Sequence, residues 1–461
     1  MKNKPFFATA YLMLLAVTLV NAQDWPQFLG PERNSTSPQK NLLRNWPETG
    51  PEILWTADLG IGYGGPVIKD GKVYILDRVE EEGDKMRCFD LESGTEIWKF
   101  EYDAAGSVMF PGSRSVPVVD EKHVYSCGPF GDLYCIDINS QKPVWNKNVW
   151  TDFGGDKGNA PASNSESGGF GDRGNFPIWA ISQNPLIYGD LLVLASQAPD
   201  AGVVAYNKNN GNLVWKTPNL GNENYVSPTA IKIHGADQIV MVISSTNPIG
   251  RRDLPQTKGN IVGIDPASGE ILWKFEGWEC HITVPSAVDA GDNKILATGG
   301  YERGATMIQV EKQTDGRFAA KELFTTVEFG DQTKPPLLIN DYFYAQYSTN
   351  NRRDGLTCMN MNGEIMWKTK RDPDFNKGSM IYADGLILAT DGAKKLYLIE
   401  PDPAGFKPIS SVEILGEPKK AVEGMSARFG GSTQNWAPIA LADGKLLIRD
   451  QNRMMCVKVA E

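Results

Sequence analysis

The chain has 461 residues, with 46 Lys and Arg against 56 Asp and Glu, for a formal net charge of −10 at pH 7. An acidic surface of that kind excludes nucleic acid and anionic membrane surfaces as natural partners, since like charges would have to meet. With 47 Gly, 29 Pro and 12 Trp and no long Ala/Leu/Glu/Lys-rich stretch at helical period, the composition speaks against a helical bundle and for many short strands joined by tight turns.

The first 22 residues, "MKNKPFFATAYLMLLAVTLVNA", set two lysines before an uncharged run and end on small residues. They read as a secretory signal peptide cut after Ala22, because the run is shorter than the roughly 20 residues a membrane span needs. The mature chain is therefore expected to be exported, periplasmic or secreted, with no transmembrane segment. No Cys follows the apolar run, so no lipid anchor is expected. Residues 23–50, opening "DWPQFLGPERNST", are expected to form an extension packed on the domain of residues 51–461.

Within that domain one pattern returns: "CFDLESGTEIW" at 88–98, "CIDINSQKPVW" at 135–145, "AYNKNNGNLVW" at 205–215, "GIDPASGEILW" at 263–273 and the shorter "CMNMNGEIMW" at 358–367. Its Asp or Asn (Asp90, Asp137, Asn207, Asp265, Asn360) is placed to accept hydrogen bonds from a turn backbone. The following residues resume a strand that buries an indole, so Trp98, Trp145, Trp215, Trp273 and Trp367 are expected to be packing anchors. Upstream of each copy stand two more strand-like runs, such as "GGPVIKDGKVYILD". Four strands in a repeat of about 40 to 45 residues is the signature of a β-propeller blade.

Two units lack the tryptophan, with Phe324 and Ile414 falling where an apolar anchor is needed. The chain ends three strands into an eighth unit, while "PEILWTADL" at 51–59 resembles a lone fourth strand with Trp55 as its anchor. The expected fold is thus all-β: an eight-bladed propeller of four-stranded antiparallel blades, closed by that N-terminal strand. An insertion is expected at about 148–178, where the anchor spacing is longest and the composition turns to Gly, Asn, Ser and Asp. Cys88, Cys135, Cys358 and Cys456 sit where a small apolar residue is wanted and are expected to be buried thiols. Cys127 and Cys135 flank a short turn and are the one pair worth testing for a disulfide.

The pattern around Trp98, Trp145, Trp215 and Trp273 resembles the tryptophan-docking motif of the pyrroloquinoline-quinone (PQQ) repeat family, whose members include quinoprotein dehydrogenases and non-enzymatic propellers. The early "DWPQFLGPERNSTS" is similar to the opening of exported members of unknown role, related to the propeller lipoprotein of the outer-membrane assembly machinery. The dehydrogenase branch implies a quinone stacked on a disulfide of adjacent cysteines, a Ca²⁺ held by Glu, Asn and Asp, and an Asp base. This sequence has no adjacent cysteines and offers no such set by position. The resemblance therefore implies a non-catalytic scaffold of the cell envelope that binds a protein, a glycan or another ligand, monomeric and without a cofactor. The alternative it implies is a PQQ- and Ca-dependent dehydrogenase of alcohols or sugars.

In a propeller, ligands meet residues near one end of the innermost strands. Those positions hold Tyr63, Arg114, Trp179, Tyr225, His281, Lys334, Gln434 and Trp436, an aromatic and polar mixture suited to a sugar, a quinone or a peptide. His281 stands without a second His or a Cys/Asp set at ligand spacing, so no metal site is expected.

Overall fold

Each turn of the repeat is built by its Asx residue. Asp90 Oδ1 accepts from the backbone N–H and the hydroxyl of Ser93, both at 2.8 Å, and Asp265 Oδ1 accepts from Ala267 N–H at 2.8 Å. Asn207 and Asn360 accept from the residues two further on, at 3.1 and 2.9 Å. A local hydrogen bond of this kind needs no tertiary support, which is why the turn survives in blades of otherwise different sequence.

The computed structural model describes residues 24–106, 108, 110–157, 176–221, 225–245, 258–349, 352–416 and 434–461. The expected signal peptide, residues 1–22, and most of the expected insertion, 158–175, lie outside the described residues. Among the described residues the strands form eight sheets, each built on four antiparallel strands, consecutive in sequence in all but the closing one; Thr36–Ser37 adds a fifth, parallel strand to one of them. Blades are numbered here from the sheet that starts at Val67–Lys69. In blade 8 the outermost strand is Ile53–Asp58, antiparallel to Arg453–Lys458, so the N-terminal strand closes the ring.

The register explains the cysteines. Cys88, Cys135, Cys358 and Cys456 each pair with the anchor of the next strand: Trp98, Trp145, Trp367 and Trp55. Ala205 and Gly263 take the same place opposite Trp215 and Trp273. A small residue is required where the indole folds over the ladder, and a thiol fills it. All six cysteines are free and buried. Cys127 pairs with Leu133 and Cys135 with Tyr125, so the two do not face each other. Burial pushes the Cys88, Cys135 and Cys456 thiols up to about 12.

The indoles then reach the next blade. Trp55 Nε1 donates to Leu91 O at 2.8 Å, Trp145 to Lys208 O at 2.9 Å, Trp215 to Pro266 O at 2.8 Å and Trp367 to Asp402 O at 2.8 Å. The turn glycine beneath cannot carry a side chain: a Cβ on Gly211 would stand 2.7 Å from the Trp145 ring, at a φ of +71°. In blade 5, one of the two without a tryptophan, Phe324 takes over the packing, its ring 2.8 Å from the Cβ position of Gly363. Trp273 differs, because the facing turn of blade 5 has lost the motif; its Nε1 donates instead to Gln238 Oε1 of its own blade, at 2.6 Å.

The segment from Asp24 to Trp46 takes a path that no repeat dictates. Trp25 bridges Ile68 on the free edge of blade 1, and Pro26 O accepts from Val119 N–H of blade 2 at 2.9 Å. Arg33 then donates to Pro185 O, just before the inner strand of blade 3. Thr36–Ser37 pair in parallel with Tyr382–Ala383 of blade 7. Blades 3 and 7 face each other across an eightfold ring, so this segment crosses the propeller axis at the end where the inner strands finish. It forms a crossbar over that mouth of the channel and then runs out between blades 7 and 8 to the closing strand.

Candidate functional site

The opposite mouth gathers the starts of the inner strands. Tyr63 precedes Val67–Lys69, Lys334 precedes Leu337–Ile339, and Gln434 and Trp436 precede Ala440–Ala442. Tyr63 donates its phenolic proton to Gln434 Oε1 at 2.8 Å, and its ring centroid lies 5.6 Å from that of Trp436. Phe110 completes the group, 6.4 Å from Tyr63 and 6.1 Å from Trp436. Lys334 Nζ donates to Trp436 O at 2.8 Å, while Lys377 Nζ sits 4.9 Å from the centre of the Trp436 ring, within cation–π range.

Four of the eight sequence-predicted residues, Tyr63, Lys334, Gln434 and Trp436, therefore meet directly. Arg114 is joined to them through Phe110, whose carbonyl accepts from its Nη2. Trp179 and Tyr225 form their own edge-to-face pair at 5.5 Å, with the Trp179 backbone N–H donating to the Tyr225 hydroxyl at 3.4 Å. His281 has polar partners at both ring nitrogens: its Nε2 lies 2.5 Å from Arg303 Nη2 and its Nδ1 lies 2.9 Å from Ser245 Oγ. Because a guanidinium can only donate, Nε2 accepts and Nδ1–H donates to the serine, which fixes a neutral tautomer. Sequence reasoning missed Phe110, Lys377 and Arg449. The last donates to Gly64 O and Gly60 O, both at 3.0 Å, and ties blade 8 to the Tyr63 loop.

The mouth is electropositive and partly dry. Burial pulls both the Lys334 and the Lys377 ammonium down to about 8, and Arg114 to about 10. The same burial pushes the Tyr63 phenol up to about 12. Neither lysine forms a direct ion pair with a carboxylate among the described residues: Lys334 donates to Trp436 O and Lys377 to Asn376 Oδ1, while Asp331 acts on both only through space, joined by Asp374 at Lys377. Asp331, the nearest acid in sequence, spends its oxygens on the backbone N–H groups of Thr333, Lys334 and Gln346. Trp436 Nε1 is buried without an acceptor. Such a set suits a carboxylate lying against an aromatic wall. It does not fit Ca²⁺, which needs several oxygen ligands and is repelled by three cations. Among the described residues no three His, Cys, Asp or Glu side chains stand together as a metal site.

The comparisons with known proteins agree with this architecture. The family described as outer membrane protein assembly factor BamB matches residues 82–369. No curated protein matches the sequence. Among solved structures, BamB from Moraxella catarrhalis is similar with a TM-score of 0.53 at 12% identity, over 88% of this chain and 99% of that one. Quinohemoprotein alcohol dehydrogenase from Comamonas testosteroni gives 0.58 at 10% identity, over 94% and 80%. At such identities the likeness is one of fold, and a scaffold and an enzyme share it equally. No helix among the described residues is long and apolar enough to cross a membrane.

Proposed function

We propose, from the premise that this chain belongs to the outer membrane protein assembly factor BamB family of PQQ-like propellers, that it is an exported, non-catalytic binding scaffold of the cell envelope. Its site is the mouth around Trp436, and its ligand is an acidic polypeptide segment. The observation that carries this reading is the convergence on Trp436 of two buried ammonium groups, Lys334 bonded to its carbonyl and Lys377 over its ring, neither in a direct ion pair with a described carboxylate. Asp331 acts on both from a distance; a carboxylate from a partner would add a direct counterion, and the aromatic wall would cover the adjoining apolar surface.

The test is capture from an envelope fraction on immobilised protein, followed by titration of the purified retained polypeptide. Trp436→Ala and Lys377→Glu are expected to weaken that binding about 30-fold each, the scale of a hot-spot residue. Binding that is indifferent to both substitutions would sink the reading. Addition of PQQ with Ca²⁺ provides the opposing arm, since bound-quinone absorbance with dye reduction by alcohols or sugars would replace the scaffold by a dehydrogenase.

The lysines also set a pH dependence. Their folded-state values, near 8, lie below the ordinary lysine value of 10.5, so the folded protein releases these protons while the unfolded chain still holds them. Affinity for an acidic ligand is expected to be full below about pH 7 and to fall as pH rises through about 8, checked by the same titration at pH 6.5 and 9. Over the window from 8 to 10.5 the free protein gains stability from these two groups, because an uncharged amine is easier to bury.

A further inference from the structure

The crossbar holds a charge with no carboxylate beside it among the described residues, its guanidinium carbon 5.9 Å from the centre of the Phe28 ring. Arg33 is only 7% exposed. Its Nη1 donates to Pro185 O at 3.0 Å and to Gln27 Oε1 at 3.2 Å, while Nε and Nη2 are buried with no acceptor. Those two N–H groups form one edge of the guanidinium and point the same way, the fork that matches two oxygens of a single anion. Burial lowers its value to about 9, still above neutrality, so the group stays charged. It makes no ion pair with a described carboxylate, and a desolvated charge without a counterion is among the costliest features a fold can keep.

The surroundings are arranged to hold this fork still. Arg33 N–H donates to Gly30 O at 3.1 Å and Ser35 N–H to Leu29 O at 2.8 Å, which closes the crossbar into a tight double turn. Gln27 Nε2 donates to Pro31 O at 2.9 Å, fixing the amide whose oxygen receives Arg33. Two residues before Pro185, Gln183 is buried with both amide atoms unpartnered. The inner strand thus brings further polar groups to the same stretch of blade 3.

We propose that the crossbar carries an oxyanion site near the propeller axis, in which Nε and Nη2 of Arg33 hold two oxygens of one small anion, a carboxylate or a tetrahedral oxyanion of the phosphate type. This site uses none of the residues of the Trp436 mouth and does not depend on the scaffold reading, because its occupant is a small ion held by the crossbar. The anion neutralises the guanidinium and so also secures the crossbar between blades 3 and 7.

Calorimetric titration of the whole chain with sodium acetate and with sodium phosphate tests it, against sodium chloride at equal ionic strength. Saturable one-site uptake of acetate, phosphate or both is expected, and Arg33→Lys, which keeps the charge but loses the fork, is expected to weaken it at least about 10-fold. Uptake unchanged in that variant, or no saturable uptake at all, overturns the proposal. Should the variant fail to fold, crystals of the unaltered chain decide: acetate or selenate density bonded to both Nε and Nη2 supports the site, and water alone under both soaks overturns it. Uptake that Lys377→Glu removes and Arg33→Lys leaves intact would belong to the Trp436 mouth and would overturn the proposal, so the two sites are told apart.

Discussion

Replacing Arg78 by methionine is expected to lower the stability of the protein by about 3–5 kcal/mol, the usual loss when one partner of a buried ion pair is removed. Arg78 and Asp84 lie on neighbouring strands of blade 1 with both side chains fully buried, Nη1 to Oδ1 at 2.7 Å. The guanidinium also donates to Ala104 O at 2.9 Å and Gly106 O at 2.6 Å, and rests 4.9 Å from the Phe130 ring centre. Those two carbonyls belong to the loop that carries Phe110 and Arg114 to the mouth, so the same substitution is expected to weaken ligand binding there. Burial pushes the Asp84 carboxyl up to about 6, with Arg78 opposing that rise. Without Arg78 the rise is larger, and the folded state then takes up a proton that the unfolded chain, titrating near 4, does not hold. The deficit is therefore expected to be greatest above pH 7 and to shrink as pH falls toward 4. Urea unfolding at pH 5 and pH 8 checks this; a deficit that does not shrink on acidification would be incompatible with the pair as described. The double variant Arg78→Met, Asp84→Leu is expected to recover most of the loss, because it leaves no lone buried charge.

What could be read from the sequence, and what could not, follows from how local each interaction is. The blade turn depends on one Asx side chain and its next few backbone N–H groups, so its residues recur at fixed spacing. Ring closure was legible for a related reason: an unpaired fourth strand at 53–58 and a three-stranded last blade can satisfy only each other. The mouth was half legible. Tyr63, Lys334, Gln434 and Trp436 are marked by their place before an inner strand, and Lys377 has the same place before Met380–Ala383. Phe110 had no such marker, for it stands in an irregular loop whose course is set by the buried Arg78. The crossbar had none either. Its path is decided by which inner-strand edges remain free on the channel side, a property of the closed ring as a whole. For His281 the place before an inner strand was legible, but its Arg303 and Ser245 partners were not, because they come from other loops of the chain.

Trp55→Ala separates closure from ordinary blade packing. Trp55 and Trp367 do the same local work, each donating to a carbonyl of the following blade at 2.8 Å. Truncating either indole is expected to cost about 3–5 kcal/mol in transfer and cavity terms. The consequences beyond that differ, because Trp367 lies on a strand joined to its blade by a short turn, whereas Ile53–Asp58 is held to Arg453–Lys458 only by the ladder and by its own anchors. When the Trp367 strand loosens, its neighbours keep it at high local concentration. When the closing strand loosens, blade 8 is left with three strands and a bare edge, and the crossbar loses its outer tether. Bare edges recruit other chains. Trp55→Ala is therefore expected to give early proteolytic cleavage before residue 60 and concentration-dependent association, while Trp367→Ala of equal thermodynamic loss gives neither. Limited proteolysis followed by mass measurement, with light scattering over a concentration series, reads both. Equal behaviour of the two variants would mean that the ring is held by the sum of its blades, and that the terminal strand is only one anchor among the others.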